Sequence, residues 1–249
     1  MHSGDKNAFT LMELLISISI ISLLSSVVLA SVQGVRNQAR LAAGKQFEQS
    51  VYSRIGTCLQ AFYNFEHGSD TTVKNVSGHS GRDGTIYSDP NYVDSLDDRG
   101  QAMEFDGSGD YVQTSSEIDF DTSGWTVSSW YYPQASNQYA HIFTSSSNQR
   151  NFATKVSKNS LTPYFYSDQG RTWSEDASAS LVLNKWQHLA YVYDGSTMKI
   201  FLDGNKIVDE SISSLDIPSD EYVIQGGNNE FVEGKHDNVR IYDCAYKSE

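Results

Sequence analysis

The chain has 249 residues, with 18 Lys and Arg against 31 Asp and Glu and a formal net charge of −13. That length suits one domain of fair size with appendages, and the acidic balance disfavours nucleic acid and anionic membrane surfaces as partners of a globular part. Aromatic residues are plentiful, 15 of them tyrosine, which suits half-buried strands and surfaces that meet carbohydrate or protein. The two cysteines, Cys58 and Cys244, stand in no metal-ligand spacing. A secreted location permits a disulfide; a cytosolic one does not.

The first eight residues are too few to hold the three regions of a secretory signal peptide. Leu11 to Val32 is predominantly apolar, long enough to span a bilayer, which takes ~20 residues. Serines 17, 19, 22, 25, 26 and 31 dilute it, and their hydroxyls can bond back to helix carbonyls. One carboxylate, Glu13, sits inside the apolar run. An acidic side chain deep in a bilayer costs on the order of 2.5–3.5 kcal/mol, so it calls for a partner charge. Cutting the chain between Ala8 and Phe9 would create an amine at Phe9. Amine and carboxylate of neighbouring molecules, at one membrane depth, would neutralise each other. That is the logic of a subunit that leaves the membrane sideways into a helical bundle.

The stretch Ala8-Phe9-Thr10-Leu11-Met12-Glu13-Leu14-Leu15 resembles the type IV pilin and pseudopilin signature. Leader length, Phe9, Thr10, Leu11 and Glu13 all fall in register, and the match extends to about Val32. The residue before the cut is Ala8, where glycine is commoner in the family. The helix-kinking proline of many pilins is replaced by Val28-Leu29-Ala30. The resemblance implies cleavage after Ala8 by a prepilin peptidase, methylation of the Phe9 amine, and an assembly role for Phe9 and Glu13. It also implies residence in the cytoplasmic membrane before assembly, and an extracellular filament afterwards.

Beyond the apolar run, Val32, Val35, Ala39, Ala42, Phe47, Val51 and Ile55 recur at three- and four-residue steps. One helix is predicted from about Thr10 to about Ile55, roughly 70 Å long at 1.5 Å per residue. Its second half carries a single apolar stripe fit to pack on a globular domain, and Gly56 is the expected C-terminal cap. After Gly56, short alternating runs between Gly, Asp, Asn and Ser clusters predict antiparallel strands. They include Trp125–Tyr132, Trp186–Tyr193, Asn238–Tyr242, and a hairpin turning at Asp203-Gly204-Asn205. The segment from His67 to Gly100 is expected to be mostly loop. The chain divides into a leader (1–8), a pilin helix (9–56) and a β head (57–249).

The head resembles the laminin-G-like, concanavalin-type jelly-roll family. The carrying segments are Phe62–Glu66, Asn75–Gly78, Ala102–Val112, Trp125–Trp130, Trp186–Gly195 and Asp237–Tyr242, in the family's order over Cys58 to Glu249. Asn75 stands where an aspartate is more usual, and the chain stops soon after the last strand, as expected of a complete domain. The implied fold is α+β, a long hydrophobic N-terminal helix followed by an antiparallel β-sandwich whose alternating Trp, Tyr, Val and Leu fill the space between sheets.

The jelly roll implies that its first and last strands lie side by side. Cys58 and Cys244 then come close enough for a disulfide, the alternative being two buried free thiols. Asp106, Asp110 and Asp237 are candidate calcium ligands, since loops in this fold family often supply them; plain turn chemistry is the other reading. The acidic run Glu117-Ile118-Asp119-Phe120-Asp121 invites comparison with the paired carboxylates of glucanases. It is read as a solvated turn, and no catalytic residue is assigned. The histidines show no metal spacing, and His188 is read as structural.

The functional reading is a structural, non-enzymatic subunit of a type IV pilus-like filament. It would polymerise with itself through the N-terminal helices, served by the pilus assembly machinery. The alternative is a minor or tip pilin, or a pseudopilin, whose head binds glycans. A membrane-anchored glucanase is the third reading.

Overall fold

The computed structural model describes residues 10–69, 71–96, 100–115, 118, 120, 123–135, 139–145, 153–166, 177–212, 215, 222–224, 231 and 233–247. The chain forms two compact units that part between Ala42 and Ala43.

The first unit is the apolar length of helix α1 (Leu11–Ile55) up to Ala42. Its large side chains, from Leu11 to Val35, are exposed. A helix that is apolar all round needs an apolar surround, and α1 is long and apolar enough to cross a membrane. The serines do bond back: Ser17, Ser19 and Ser22 donate to the carbonyls of Glu13, Leu15 and Ile18 at 2.7–2.8 Å.

The second unit opens with the last turns of α1, from Ala43. The sequence boundary at 57 separates these turns from the head, whereas packing draws them in with it. Gly56 does not cap the helix in a left-handed conformation; it begins a 3-10 turn, Gly56–Cys58. The strands are β1 (Leu59–Ser69), β2 (Thr72–Asn75), β3 (Gly84–Tyr87), β4 (Asn91–Asp94), β5 (Gln101–Asp106), β6 (Tyr111–Gln113), β7 (Trp125–Pro133) and β8 (Ala140–Ser145). They continue as β9 (Ala153–Val156), β10 (Pro163–Tyr166), β11 (Gln187–Tyr193), β12 (Thr197–Leu202), β13 (Asn205–Ser211), β14 (Tyr222–Ile224) and β15 (Glu233–Tyr242). Three of them, β2 to β4, lie in the stretch expected to be mostly loop. Each is four residues long, too short to show a period, and pairing with neighbours supplies what local pattern lacks.

All pairings are antiparallel, and the path β10-β9-β8-β14-β6-β3-β2-β1-β15-β7-β11-β12-β13 carries the main ladder, with β5 beside β15 and β4 beside β5. The path folds over on itself. Tyr191 of β11 donates its hydroxyl to the Lys155 carbonyl of β9 at 3.0 Å, although many strands separate them along the ladder. This is a two-layer jelly-roll sandwich. The first and last strands are neighbours, with Leu59 opposite Tyr242.

β11 is buried on both faces. Leu189, Tyr191 and Tyr193 point into the sandwich core with Trp125, Val127 and Ile200, while Ala190 and Val192 join a second cluster on the other side. The second cluster is built by Phe47, Val51 and Ile55 of α1 against Leu59, Phe201, Tyr242 and Tyr246. Those three α1 residues, four apart, are the buried stretch of the predicted stripe. Its upstream members Val32 and Val35 lie in the other unit and are exposed.

Candidate functional site

At the start of α1, Thr10 and Glu13 form a capping box. The Glu13 N–H donates to Thr10 Oγ1 at 3.3 Å, and the Thr10 N–H donates back to Glu13 Oε2 at 2.9 Å. The Thr10 hydroxyl adds a bond to the same oxygen at 2.8 Å. This arrangement satisfies N–H groups that a helix start leaves open. The signal, Thr-x-x-Glu, was present in the sequence, but a reading of Glu13 by charge alone passes over it. Ala8 and Phe9 lie outside the described residues.

In the second unit, Glu48 of α1 reaches the sheet. One oxygen pairs with the Arg240 guanidinium and the other accepts from Trp130 Nε1 at 3.1 Å. Arg240 lies over the Phe62 ring at 4.0 Å, a cation–π arrangement. Arg240 and Trp130 together hold the Glu48 carboxyl below its usual range against the opposing effect of burial. His188 lies beneath the same turn, fully buried, with its ring edge-on to Trp130 at 5.3 Å and to Phe47 at 5.7 Å. Burial lowers its pKa to about 4.

The three aspartates do not form one site. Asp110 is buried, and its two oxygens accept the N–H groups of Asp89 and Asp106, each at 3.0 Å. It braces two loops against each other. Asp106 is exposed and accepts from the Ser108 N–H at 2.7 Å, as turn chemistry expects. Asp237 pairs with Trp130 on β7, whereas Asp106 sits opposite Glu233, four residues away along β15. Among the described residues, Cys58, Asp243 and Cys244 are the only His, Cys and carboxylate groups gathered closely enough to suggest a metal cluster. Both sulfurs are already taken, since Cys58 and Cys244 form a disulfide with Cα atoms 5.9 Å apart. Glu117, Asp119 and Asp121 lie outside the described residues; Ile118 and Phe120 between them are buried core.

Residues 106–249, more than half of the chain, match the profile of the concanavalin A-like lectin/glucanases superfamily in its laminin-G-like form. The chain belongs to this superfamily. Residues 4–29 match the prokaryotic N-terminal methylation motif, so the laminin-G-like head follows a type IV pilin leader. No curated protein matches the chain.

Solved structures share the fold of the laminin-G-like head. Domain 4 of AbnA, a GH43 extracellular arabinanase from Geobacillus stearothermophilus, in complex with arabinotriose, is 17% identical with a TM-score of 0.59, over 76% of this chain and 94% of that one. The binding domain of botulinum neurotoxin serotype D is 14% identical with a TM-score of 0.59, over 78% and 50%. Trypanosoma rangeli sialidase is 12% identical with a TM-score of 0.59, over 84% and 36%. The chain thus spans half or less of the neurotoxin domain and the sialidase. At these identities the likeness is one of fold.

Within the second unit, sequence reasoning missed the Glu48–Arg240–Trp130 cluster. Its members come from α1, β15 and β7, and no local pattern links residues so far apart. The one available signal was a carboxylate, Glu48, directly following Phe47 of the apolar stripe.

Proposed function

We propose that this chain is a structural subunit of a type IV pilus-like filament, displaying its laminin-G-like head on the surface. The observation that carries the reading is the methylation motif running into an apolar stretch of α1, Leu11 to Val32, that holds a single carboxylate, Glu13. Prepilin peptidase cuts between Ala8 and Phe9, and the new amine is methylated. The chain waits in the cytoplasmic membrane, and assembly machinery moves it into a homopolymer of N-terminal helices. The Thr10 bonds occupy Glu13 Oε2 and hold the carboxylate at the helix start, at the depth where a neighbour's Phe9 amine arrives. The test is Glu13→Ala. The variant is expected to insert and be cleaved as wild type, with filament yield strongly reduced. Wild-type filament yield would refute the assembly role.

A second reading is favoured by the fold neighbour solved with arabinotriose. Here the chain is a minor or tip pilin, or a pseudopilin, whose head binds glycans. Electron microscopy of purified filaments separates the two. Continuous helical density built from this chain supports the main subunit; labelling confined to filament ends, together with glycan binding by the chain, supports the second.

A further inference from the structure

A cleft of about 370 Å³ opens in the second unit where the last turns of α1 meet the sheet. Gln49 and Tyr52 line it from α1, Phe62 and Val76 from β1 and the turn after β2, and Arg240 from β15. A laminin-G-like sandwich without α1 would lack this cleft. Tyr52 is its most telling residue. Phe47, Val51 and Ile55 of the same turns are buried, whereas Tyr52 is 49% exposed. A Cβ added at Gly56 would stand 3.4–3.6 Å from three atoms of the Tyr52 ring. Backbone thus braces the ring on one side while half of the residue stays open to solvent.

The charged groups at the cleft cancel each other. Arg240 pairs with Glu48, and its guanidinium lies over the Phe62 ring at 4.0 Å. Two polar groups beside them are unused. Arg240 Nε and the Tyr242 hydroxyl are buried and have no hydrogen-bond partner among the described residues. Tyr242 is 0% exposed, and its hydroxyl lies close enough to Arg240, Glu48 and Tyr52 to feel their charges. Buried polar groups are nearly always paired, so two unmade bonds at one cleft ask for a group that makes them.

The occupant is neither an ion nor a peptide strand. The Glu48–Arg240 pair leaves no surplus charge to hold an ion. The backbone of β1 here is already spent. The Phe62 N–H donates to Asn75 Oδ1 at 2.9 Å, and the Phe62 carbonyl accepts from the Val76 N–H at 2.8 Å. The Gln60 carbonyl accepts from Ser77 Oγ and from Arg82. An added strand would find no ladder to join.

We propose that this cleft binds one sugar ring of a neutral glycan, with Tyr52 as the stacking face and Arg240 Nε and the Tyr242 hydroxyl as hydrogen-bonding groups. A sugar ring presents C–H groups on a face and hydroxyls around its rim. The electron-rich face of an aromatic ring attracts the first, and a few placed polar groups orient the second. The inference rests on the second reading above, in which the head binds glycans, and gives that reading a site. The site sits at the join of pilin helix and head, so the glycan is gripped by both.

The test uses the full chain in micelles of a detergent without a sugar headgroup. It is applied to an array of neutral and acidic oligosaccharides of known sequence, arabinotriose among them. Wild type is expected to bind at least one neutral probe, whose affinity is then measured by titration calorimetry. Tyr52→Ala should weaken that binding by roughly tenfold, and Tyr52→Phe should stay within about threefold of wild type. Tyr242→Phe should also lose roughly tenfold. The hydroxyl it removes has no partner in the fold, so this variant should unfold in urea no earlier than wild type, which separates lost binding from lost folding. The site is overturned, with the glycan reading left standing, if either Tyr52→Ala or Tyr242→Phe binds the neutral probe as wild type does. It is equally overturned if Tyr52→Phe loses as much as Tyr52→Ala, or if only acidic probes bind. Binding of no probe overturns the glycan reading and the site together.

Discussion

Arg240, near the end of the last strand, pairs with Glu48 in α1, and both side chains are about 15% exposed, at 14% and 16%. The pair fastens the helix to the sheet at a place where neither charge can return to water without undocking. Removing one member of a buried pair costs about 3–5 kcal/mol, because the other is left uncompensated. Glu48→Ala also strips Trp130 Nε1 of its acceptor. The expected loss is about 3 kcal/mol by urea denaturation. The double variant Glu48→Leu with Arg240→Met should recover most of it, as apolar replacements of buried pairs often do. A loss under about 0.5 kcal/mol would class the pair with ordinary surface bridges.

Two glycines of α1 should answer the same substitution with opposite signs. Gly34 has nothing within 4 Å of an added Cβ, so Gly34→Ala should stabilise the helix by up to about 1 kcal/mol. At Gly44 the Cβ would stand 2.5 Å from Trp130 Cη2 and 3.1 Å from His188 Cβ. Both neighbours are fully buried, so neither can swing away. Gly44→Ala should therefore destabilise the head by about 1–3 kcal/mol despite its better helix propensity. Circular dichroism on thermal unfolding in detergent reads both, and equal shifts in the two variants would contradict the docked position of Gly44.

The disulfide joins residues 186 apart, so it closes a loop spanning nearly the whole head. In the chain-entropy model such a loop is worth on the order of 5 kcal/mol, through the unfolded state. Reduction, or the Cys58→Ser/Cys244→Ser pair, should lower the unfolding midpoint strongly while leaving the native β spectrum in place. The ladder explains that survival, since Leu59 and Tyr242 remain paired and the Asp243 N–H still donates to the Cys58 carbonyl at 3.1 Å. Free thiols in the unreduced, denatured protein would count against the bond.

The elements legible in the sequence are those whose signal is local. Trp125-Thr126-Val127 and Leu189-Ala190-Tyr191 announce strands by residue type, and Asp203-Gly204 announces a tight hairpin, which forms with both residues at positive φ. The segment Asp106-Gly107-Ser108-Gly109-Asp110 supports two readings from sequence. Turn chemistry and calcium ligation ask for the same residues, and only the bonds of Asp110 to Asp89 and Asp106 show the brace. The sequence groups Asp237 with Asp106 and Asp110 as candidate ligands, whereas the fold sets it on one cleft with Glu66. What places it beside Glu66 is a bulge in each of two strands far apart in the chain, and bulges leave little trace in an alternating pattern. Strands β2 to β4 were missed because four residues hold too few alternations to stand out among glycines and aspartates.

His188 should give the head a measurable acid sensitivity. Its ring is fully buried, and neither ring nitrogen has a hydrogen-bond partner. The groups around it are Glu48 and Phe47 from α1, Trp130 from β7 and Arg240 from β15. Burial is the larger cause of its lowered pKa of about 4, Glu48 opposes it, and Arg240 adds to it. An unfolded histidine has a pKa of ~6.5. The unfolded chain therefore takes up the proton first as the pH falls, and stability drains away from about pH 6.5 down to about pH 4. His236, lowered by burial to about 3, acts in the same direction. Asp237, raised to about 7, acts against both, since the folded state holds its proton more tightly. The total slope is thus a mixture, and the difference between wild type and His188→Leu isolates one histidine. Urea denaturation of both at pH 7.5 and pH 5 reads it. Wild type should lose ~2 kcal/mol more than the variant over that interval, from about 1.5 units between pH 5 and the unfolded pKa. Parallel losses in the two proteins would show that His188 does not stay neutral in the fold.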